Sequence, residues 1–258
     1  MEHDFETIAR QALSEPGKLS AAYSSFHEFS LGNQWLAMMQ LPQPEPIHTF
    51  PGWKALARHV KRGAKAIELI MPVFKHAKKE VTQPKPEAEE KGSAVYFIAR
   101  RNWFGLSQTE GKEYVPHPTP GFDIHQAVLT LNIKEEPFQS MSGNSMGYAR
   151  TAERTISVSP LAFDPLKTRI HEISHVILHT DLFSIHSSDS LPRDVREVEA
   201  ELTAYLVKSA LGNTDNLELS RGYIQNWLDD KTLNRVRFSK VYGAADAILT
   251  AGRIIPTP

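Results

Sequence analysis

The sequence predicts an α+β fold in two domains, a mixed α+β domain over residues 1–138 and a mostly helical domain over residues 139–258. Strand-like apolar runs in the first half and helical spacing of apolar residues in the second half predict this organisation. The length supports it, because 258 residues leave room for two domains of ordinary size. We expect the boundary near residues 135 to 144.

The first domain begins with two predicted helices, at residues 33 to 41 and 53 to 60, where apolar side chains recur every three or four positions. Strands are expected at residues 67 to 74 and 94 to 99, because both runs are apolar. The segment between the strands, residues 75 to 92, is dense in charge and contains two prolines. We therefore expect a long, solvated hairpin loop.

The second domain is expected to open with a short strand at residues 155 to 159. A helix follows, because Asp164 is a capping residue and Pro165 suits the first helical turn. This helix runs through the pentapeptide HEISH and buries one face. Its apolar positions are Leu166, Ile170, Ile173 and Ile177. Further helices are predicted from about Pro192, with Val195, Val198, Leu202 and Leu206 on the apolar side, and at residues 217 to 228 and 238 to 254.

The composition is that of a soluble globular protein and restricts the chemistry. Hydrophobic residues make up 41% and charged residues 23%, a balance that excludes disorder as the main state. The longest apolar run is far shorter than the ~20 residues of a membrane span, and the N-terminus is too acidic for a signal peptide. We therefore expect a cytoplasmic protein with no membrane partner. Because cysteine is absent, any metal must be held by His, Asp or Glu.

The HEISH pentapeptide predicts a metal site. His171 and His175 are four residues apart on the predicted helix, so both rings point from one face, roughly 6 Å apart, where one ion can bridge them. Glu172 projects beside them. In zinc peptidases a glutamate at this position is the general base that takes a proton from the metal-bound water. The residues thus indicate a zinc metallopeptidase-type site of the HExxH class.

A third ligand is expected on the next helix, because a catalytic zinc takes three protein ligands and an open position. Glu197 and Glu201 lie one turn apart on one face, whereas Glu199 points elsewhere. In the glutamate-ligand class of zinc peptidases, an acidic or amide residue four positions after the ligand orients a metal-bound histidine. This selects Glu197 as ligand and Glu201 as acceptor of the free ring N–H of a histidine. The reverse assignment stays open.

This ligand set has two alternatives. A three-histidine arrangement needs a glycine where Leu178 stands, and a continuous helix carries His179 and Asp181 away from the metal. Alternatively, the histidines only form hydrogen bonds near the surface and the glutamates make a solvated face. The pentapeptide, the cap before it and the glutamate-rich helix after it together favour the metal site.

A basic segment in the first domain suggests a second function. No acidic residue occurs between Ile47 and Ile67, and cations crowd around Trp53. Their spacing of three and four places most of them on one helical face, which could follow a phosphate backbone. The candidate DNA-binding residues are Trp53, Lys54, Arg58, Lys61, Arg62 and Lys65. Aromatic residues that could stack on unpaired bases, Tyr96, Phe97, Trp103 and Phe104, surround Arg100 and Arg101. The alternative is that these aromatic residues fill the core.

The chain resembles ArdC-type antirestriction proteins. The stretches SLGNQWLAMMQ, FPGWKALARHVKRGAKAIELIMPV and LSQTEGK resemble their N-terminal domain, and TRIHEISHVILHT with REVEAELTAYLV resembles their metallopeptidase domain. The resemblance implies non-specific single-stranded DNA binding by the region from Trp53 to Lys65 and a zincin-like second domain. It implies metal ligation by His171, His175 and Glu197, with Glu172 as general base.

The resemblance also implies a role, the protection of incoming plasmid DNA from host restriction during conjugation. The expected cofactor is Zn²⁺ or another divalent metal such as Mn²⁺. The expected partner is single-stranded DNA, with a protein substrate as a second candidate. Two other functions stay open. One is a cytoplasmic zinc protease that cleaves a specific regulator, and the other is a DNA-binding protein whose metal is purely structural. The resemblance leaves open whether the site cleaves any substrate.

Overall fold

The structure is a computed structural model that describes residues 5–15, 17–74, 94–139, 145–180, 191–228 and 235–254. The helices are α1 Phe5–Ser14, α2 Lys18–Phe26, α3 Leu31–Gln40, α4 Phe50–Ala55, α5 Ile124–Thr130, α6 Pro165–His179, α7 Arg193–Ala210, α8 Leu217–Leu228 and α9 Phe238–Ala251. The strands are β1 Ile47–Thr49, β2 Arg58–Val60, β3 Ile67–Phe74, β4 Ala94–Gly105, β5 Thr109–Gly111, β6 Gly121–Phe122, β7 Lys134–Glu135, β8 Gly147–Arg150, β9 Thr155–Val158 and β10 Arg253–Ile254. The fold is therefore mixed α+β, as predicted.

The chain divides into two compact units. The larger unit comprises residues 1–35 and 117–258, and the smaller unit comprises residues 36–116. This division differs from the predicted boundary between residues 138 and 139. The reason is that α1 and α5 pack on α9, and α2 packs on α7, so N-terminal helices belong to the unit that holds the C-terminal ones. The assignment of a separate function to each predicted domain stays a prediction.

Helix α7 is the central element of the larger unit. It packs against α2, α6, α8 and α9, and every residue from 198 to 210 is buried. Such a position normally requires apolar residues on all sides, so each charged residue there needs a partner. Lys208, only 1% exposed, forms an ion pair with Asp164 and donates to the Asp215 carbonyl oxygen at 2.7 Å.

Helix α6 begins where the sequence predicts. The Asp164 side chain accepts a hydrogen bond from the Lys167 backbone N–H at 2.9 Å, and Pro165 occupies the first turn. One face of α6 packs on α7, and the helix also contacts β8 and β9 of a three-stranded sheet. In that sheet β9 lies in the middle, parallel to β7 and antiparallel to β8. The predicted strand at 155 to 159 and the four helices from residue 165 onward are confirmed, except that the last helix ends at Ala251 instead of 254 and the chain continues as strand β10.

The smaller unit is built on an antiparallel sheet with the strand order β1-β4-β3. Strands β3 and β4 pair as the predicted hairpin, with Leu69 opposite Arg100. The predicted loop at 75 to 92 lies outside the described residues. The core of this unit contains Ile47, Trp53, Leu69 and Trp103, all buried. The Trp53 ring nitrogen donates to the Phe104 carbonyl oxygen at 2.8 Å.

The predicted helix at residues 53 to 60 is wrong over its second half. Helix α4 is capped by Thr49, begins at Phe50 and ends at Ala55. Ala57 then adopts a left-handed conformation with φ 56°, and the chain continues as strand β2, which pairs with β5. A left-handed residue cannot continue a right-handed helix. The basic side chains from Lys54 to Lys65 therefore do not share one helical face.

In the parts of the chain that the structure describes, no helix combines the length and the apolar character needed to cross a membrane.

Candidate metal centre

Helices α6 and α7 bring three predicted ligands together. The Nε2 atoms of His171 and His175 are 3.1 Å apart. Glu197 Oε2 lies 3.4 Å from His171 Nε2 and 3.5 Å from His175 Nε2. The three side chains are partly buried, and each directs one donor atom into the same small space.

This triangle has the dimensions of one face of a tetrahedral coordination shell, with three of its four donor atoms. Donor atoms held ~2.1 Å from a zinc ion with tetrahedral angles lie ~3.4 Å from one another. The observed edges of 3.1, 3.4 and 3.5 Å are close to this value. Two imidazoles and one carboxylate also form the donor set of a glutamate-type zinc peptidase site. The residues present therefore fit a divalent metal ion such as zinc or manganese.

Glu201 lies behind His171. Its Oε2 is 3.3 Å from His171 Nδ1, the ring nitrogen that faces away from the triangle, and its Oε1 is 2.6 Å from Lys167 Nζ. An acceptor at Nδ1 fixes the proton there and leaves Nε2 as the donor toward a metal. Glu197 thus lies where a third ligand would be, and Glu201 lies where it would orient His171. Both roles stay predictions.

Hydrogen bonds within the triangle stabilise the protonated form of His171 and the ionised form of Glu197. Burial alone would lower the pKa of His171, but hydrogen bonds to Glu197 and Glu201 raise it to about 9. Hydrogen bonds from His171 and His175 hold the pKa of Glu197 well below its usual range. Burial lowers the pKa of His175. The carboxylate of Glu197 is therefore ionised at neutral pH, as a metal ligand must be.

Glu172 has the properties of a proton acceptor near neutral pH. It is 7% exposed, and its burial raises its pKa to about 7, against the attraction of His171. Strand β8 passes directly over it, since a Cβ atom built on Gly147 would lie 2.8 Å from Glu172 Oε1. Glycine at position 147 thus leaves space for the carboxylate. The sequence does not predict this role for Gly147, because nothing in the local pattern connects the glycine with α6.

A second group of buried polar side chains lies on the far side of His175, and the sequence does not predict its contacts. His179 Nδ1 lies 3.1 Å from His175 Nδ1, and His179 Nε2 lies 3.1 Å from Glu199 Oε2. Arg237, at the start of α9, binds the same carboxylate. Burial would raise the pKa of Glu199, but the hydrogen bonds from His179 and Arg237 lower it to about 2. The available signal was the four-residue spacing of three histidines, at 171, 175 and 179. Asp181, the other alternative ligand, lies outside the described residues.

The predicted DNA-binding residues lie in the smaller unit, and their surroundings differ. Lys54, Arg62 and Lys65 are exposed. Arg58 is half-buried, and its guanidinium donates to Thr109 and to the Lys112 carbonyl oxygen. Trp53 is 0% exposed, so its ring belongs to the core and cannot stack on a base. The alternative interpretation of Trp53 as a core residue is therefore correct.

The other candidate DNA-binding residues also differ in their exposure. Lys61 is exposed and donates to the Ser107 carbonyl oxygen at 2.9 Å. Tyr96 and Phe97 on β4 are 55% and 68% exposed, whereas Trp103 on the same strand is buried. Arg100 and Arg101 of this strand are exposed as well. Exposed cations and exposed aromatic rings thus occur together on strand β4 of the smaller unit.

Comparisons with known proteins identify the fold. The structure is similar to two crystal structures of the antirestriction ArdC protein from R388 plasmid, one Mn(II)-bound and one metal-free. The TM-score is 0.52 in both comparisons, with 17% and 15% sequence identity, and each match covers 96% of this chain and 97% of the other. The chain has the ArdC fold. The resemblance to ArdC-type proteins is thereby confirmed at the level of fold, and it extends beyond residues 26 to 207.

The sequence comparisons are less specific than the ArdC match. The chain is 24% identical to the uncharacterized protein pXO2-81 of Bacillus anthracis over 254 aligned positions. That alignment covers 81% of this chain, and the chain spans only 42% of the relative's length. No protein-family model matches. The ArdC similarity therefore depends on structure, and its Mn(II)-bound member shows that a protein of this fold can hold a divalent metal.

Proposed function

We propose that this chain is an ArdC-type antirestriction protein with a divalent-metal centre of metallopeptidase type and a single-stranded-DNA-binding surface. The observation that carries the proposal is the convergence of His171, His175 and Glu197 in a chain with the ArdC fold. An antirestriction protein of this type would protect incoming plasmid DNA from host restriction during conjugation. The zinc or manganese ion would be held in a zincin-like arrangement.

The residues around the centre support hydrolytic chemistry. A divalent ion held by the two histidines and Glu197 would act as a Lewis acid toward a carbonyl and would lower the pKa of water. Glu172 would hold the proton released at this site, because its pKa of about 7 is close to neutral pH. Its carboxylate sits beneath Gly147 of β8, where the small glycine leaves room for it. Glu172 is thus the candidate general base.

The smaller unit supports nucleic-acid binding without sequence specificity. The exposed side chains of Lys54, Lys61, Arg62 and Lys65 offer positive charge that can neutralise phosphates. Tyr96 and Phe97 expose rings on which unpaired bases can stack, a contact that every base can make. Because the structure buries Trp53 and engages Arg58 internally, the proposed surface omits both residues.

Metal binding tests the centre directly. The purified chain should bind about one Zn²⁺ or Mn²⁺ ion, and His171→Ala and Glu197→Ala should each lose it. Glu201→Ala should weaken binding by about 10- to 100-fold without abolishing it, because it orients His171. Glu218→Ala, on the exposed side of α8, is the matched control and should bind like the wild type. Full metal content in Glu197→Ala would show that the ligand assignment is wrong.

Salt-dependent DNA titrations test the surface. Log affinity for a labelled single strand should fall with log salt by roughly 0.7 per phosphate neutralised, whatever the base sequence. Arg62→Ala with Lys65→Ala should weaken binding to all sequences and reduce this slope. Lys240→Ala, which removes one exposed cation from α9 in the larger unit, is the control for loss of positive charge elsewhere and should change neither quantity. Absence of single-strand binding at low salt would favour the protease alternative.

One variant separates catalysis from metal-supported structure. Glu172→Gln keeps the size of the side chain but removes the proton acceptor. If this variant protects unmodified DNA as well as the wild type while the DNA-binding variants fail, protection does not depend on peptide hydrolysis. If it binds DNA and metal normally but no longer protects, the metallopeptidase site acts on a protein substrate. We expect the first result.

A further inference from the structure

A line of buried polar side chains leads from His175 away from the candidate metal centre. The contacts run from His175 Nδ1 to His179 Nδ1 at 3.1 Å and from His179 Nε2 to Glu199 Oε2 at 3.1 Å. His179 and Glu199 are 0% exposed, so water does not reach their side chains from the surface. Buried polar groups of this kind need defined hydrogen-bond partners. In each of these contacts one atom must therefore carry the proton and the other must accept it.

The charged end of the line is fixed by Arg237. Glu199 Oε1 accepts from the Arg237 backbone N–H at 2.8 Å and from its Nε at 3.0 Å. Glu199 Oε2 accepts from Arg237 Nη2 at 2.6 Å. Arginine keeps its charge in proteins, and an ionised carboxylate can only accept hydrogen bonds. The contact of Oε2 with His179 is therefore donated by the histidine ring, from Nε2–H.

The direction of this hydrogen bond determines which ring nitrogen of His175 carries a proton. A neutral imidazole with its proton on Nε2 has a lone pair on Nδ1, so His179 Nδ1 is an acceptor. His175 Nδ1 must then carry the proton of the Nδ1···Nδ1 contact. Its own Nε2 is left with the lone pair, and that atom is the one that faces His171 and Glu197. A metal ion requires a lone pair at this nitrogen.

We propose that His179 and Glu199 are positioning residues that hold His175 in the tautomer required for metal binding. The proposal rests on the metal centre of the proposed function and adds a defined role for two residues outside the ligand set. His171 receives the same control directly from Glu201, through one hydrogen bond at Nδ1. The tautomer of His175 is instead set by Glu199 through the intervening ring of His179. The two histidine ligands thus depend on two different carboxylates of α7.

Nitrogen-15 NMR of the wild-type chain reads the tautomers without any variant. Histidine-labelled protein, metal-free and zinc-loaded, is measured at about pH 8.5, two units above the ordinary histidine pKa of about 6.5. We expect His175 to carry its proton on Nδ1 and His179 on Nε2 in both forms. The His179→Asn spectrum assigns the two rings among the 11 histidines. A wild-type His175 with its proton on Nε2 in the metal-free protein overturns the proposal.

Glu199→Gln should reverse the direction of the hydrogen bonds along the line, while the side chain keeps its size and shape. The glutamine oxygen would accept from Arg237, so its NH₂ group would donate to His179 Nε2 and move the His179 proton to Nδ1. His175 would then carry its proton on Nε2, and Mn²⁺ affinity should fall by about 10- to 100-fold. Glu218→Gln, the same change on the surface of α8, should alter neither spectrum nor affinity. Unchanged tautomers and affinity in a folded Glu199→Gln protein would refute the role.

A pair of substitutions at His179 separates proton positioning from packing. His179→Asn keeps an oxygen near the place of Nδ1, which can accept from His175, whereas His179→Leu removes the acceptor. Mn²⁺ affinity should decrease from wild type to Asn to Leu, with the melting temperature of the metal-free proteins as a measure of folding. Equal losses in both variants would assign the effect to packing. If the wild type binds no Mn²⁺, the proposed metal centre fails, while the wild-type tautomers still decide the hydrogen-bond line.

Discussion

Replacement of the buried Lys208 by Met tests the contact that joins α7 to the start of α6. The Lys208 ammonium group pairs with Asp164, and the same Asp164 caps the helix that carries His171 and His175. Methionine has a similar length and fills the same space without a charge. The variant therefore leaves the Asp164 carboxylate without its main partner while changing the packing little.

The expected loss of unfolding free energy is about 3 kcal/mol. Removal of one partner of a buried ion pair costs ~3–5 kcal/mol, because the other charge stays in a poorly solvated place. The Asp164 side chain is 14% exposed, so some water can reach it, and we expect the lower end of that range. Adding Asp164→Asn should recover most of the loss, because asparagine is neutral and still caps a helix well.

Urea unfolding followed by circular dichroism measures these differences. Lys240→Met, at an exposed position of α9, is the control and should remain within about 0.5 kcal/mol of the wild type. Two results would refute the reasoning. One is a Lys208→Met protein as stable as the control, and the other is a double variant less stable than the single one.

Three further predictions follow from other parts of the structure. Because the Trp53 ring is buried, Trp53→Ala should lower the unfolding free energy by about 3–5 kcal/mol and leave the single-strand affinity of the folded protein unchanged. A loss of affinity without a loss of stability would contradict this. Gly147→Ala should displace the Glu172 carboxylate and lower stability by about 1–3 kcal/mol, while metal titration should find unchanged affinity because the ligands do not move. Burial raises the pKa of Asp246 from 3.8 to about 7. Between these pH values the folded state holds a proton on Asp246 that the unfolded state has lost. The stabilising contribution of this residue is therefore full below about pH 4 and is lost by about pH 7. Asp246→Asn keeps an acceptor for the Leu31 N–H and should become more stable relative to the wild type as pH rises, by at most about 4 kcal/mol; a constant difference in urea unfolding between pH 4 and pH 8 would disprove the assignment.

The sequence predicts the features that depend on local spacing. Helix α6, its Asp164 cap and the four-residue spacing of His171 and His175 follow from residues within one or two helical turns. The division of labour between Glu197 and Glu201 also follows from their spacing on α7, and the geometry supports it. Strands β3 and β9, the first half of β4 and helices α7 to α9 were predictable for the same reason.

Features that depend on long-range contacts were not predictable. The spacing of Trp53, Leu56 and Val60 fits a continuous helix, and no glycine marks the left-handed turn that the chain makes at Ala57. Arg237 meets Glu199 only because α9 packs on α7, which no local pattern reveals. The same applies to the packing of α1, α2 and α5 on C-terminal helices, which moves the compact units away from the predicted boundary.

The close spacing of the site residues along the chain has a consequence for the order of assembly during folding. All residues of the triangle and Glu201 come from two successive helices, so their meeting closes only a short loop and carries a low entropic cost. We expect this helical pair to dock early, during synthesis, when the chain after α7 is still incomplete. Arg237 arrives later, with α9. The ligand triangle would thus exist before the contact that anchors Glu199, and a newly made chain would pass through a stage in which His175 is still free to exchange its ring protons.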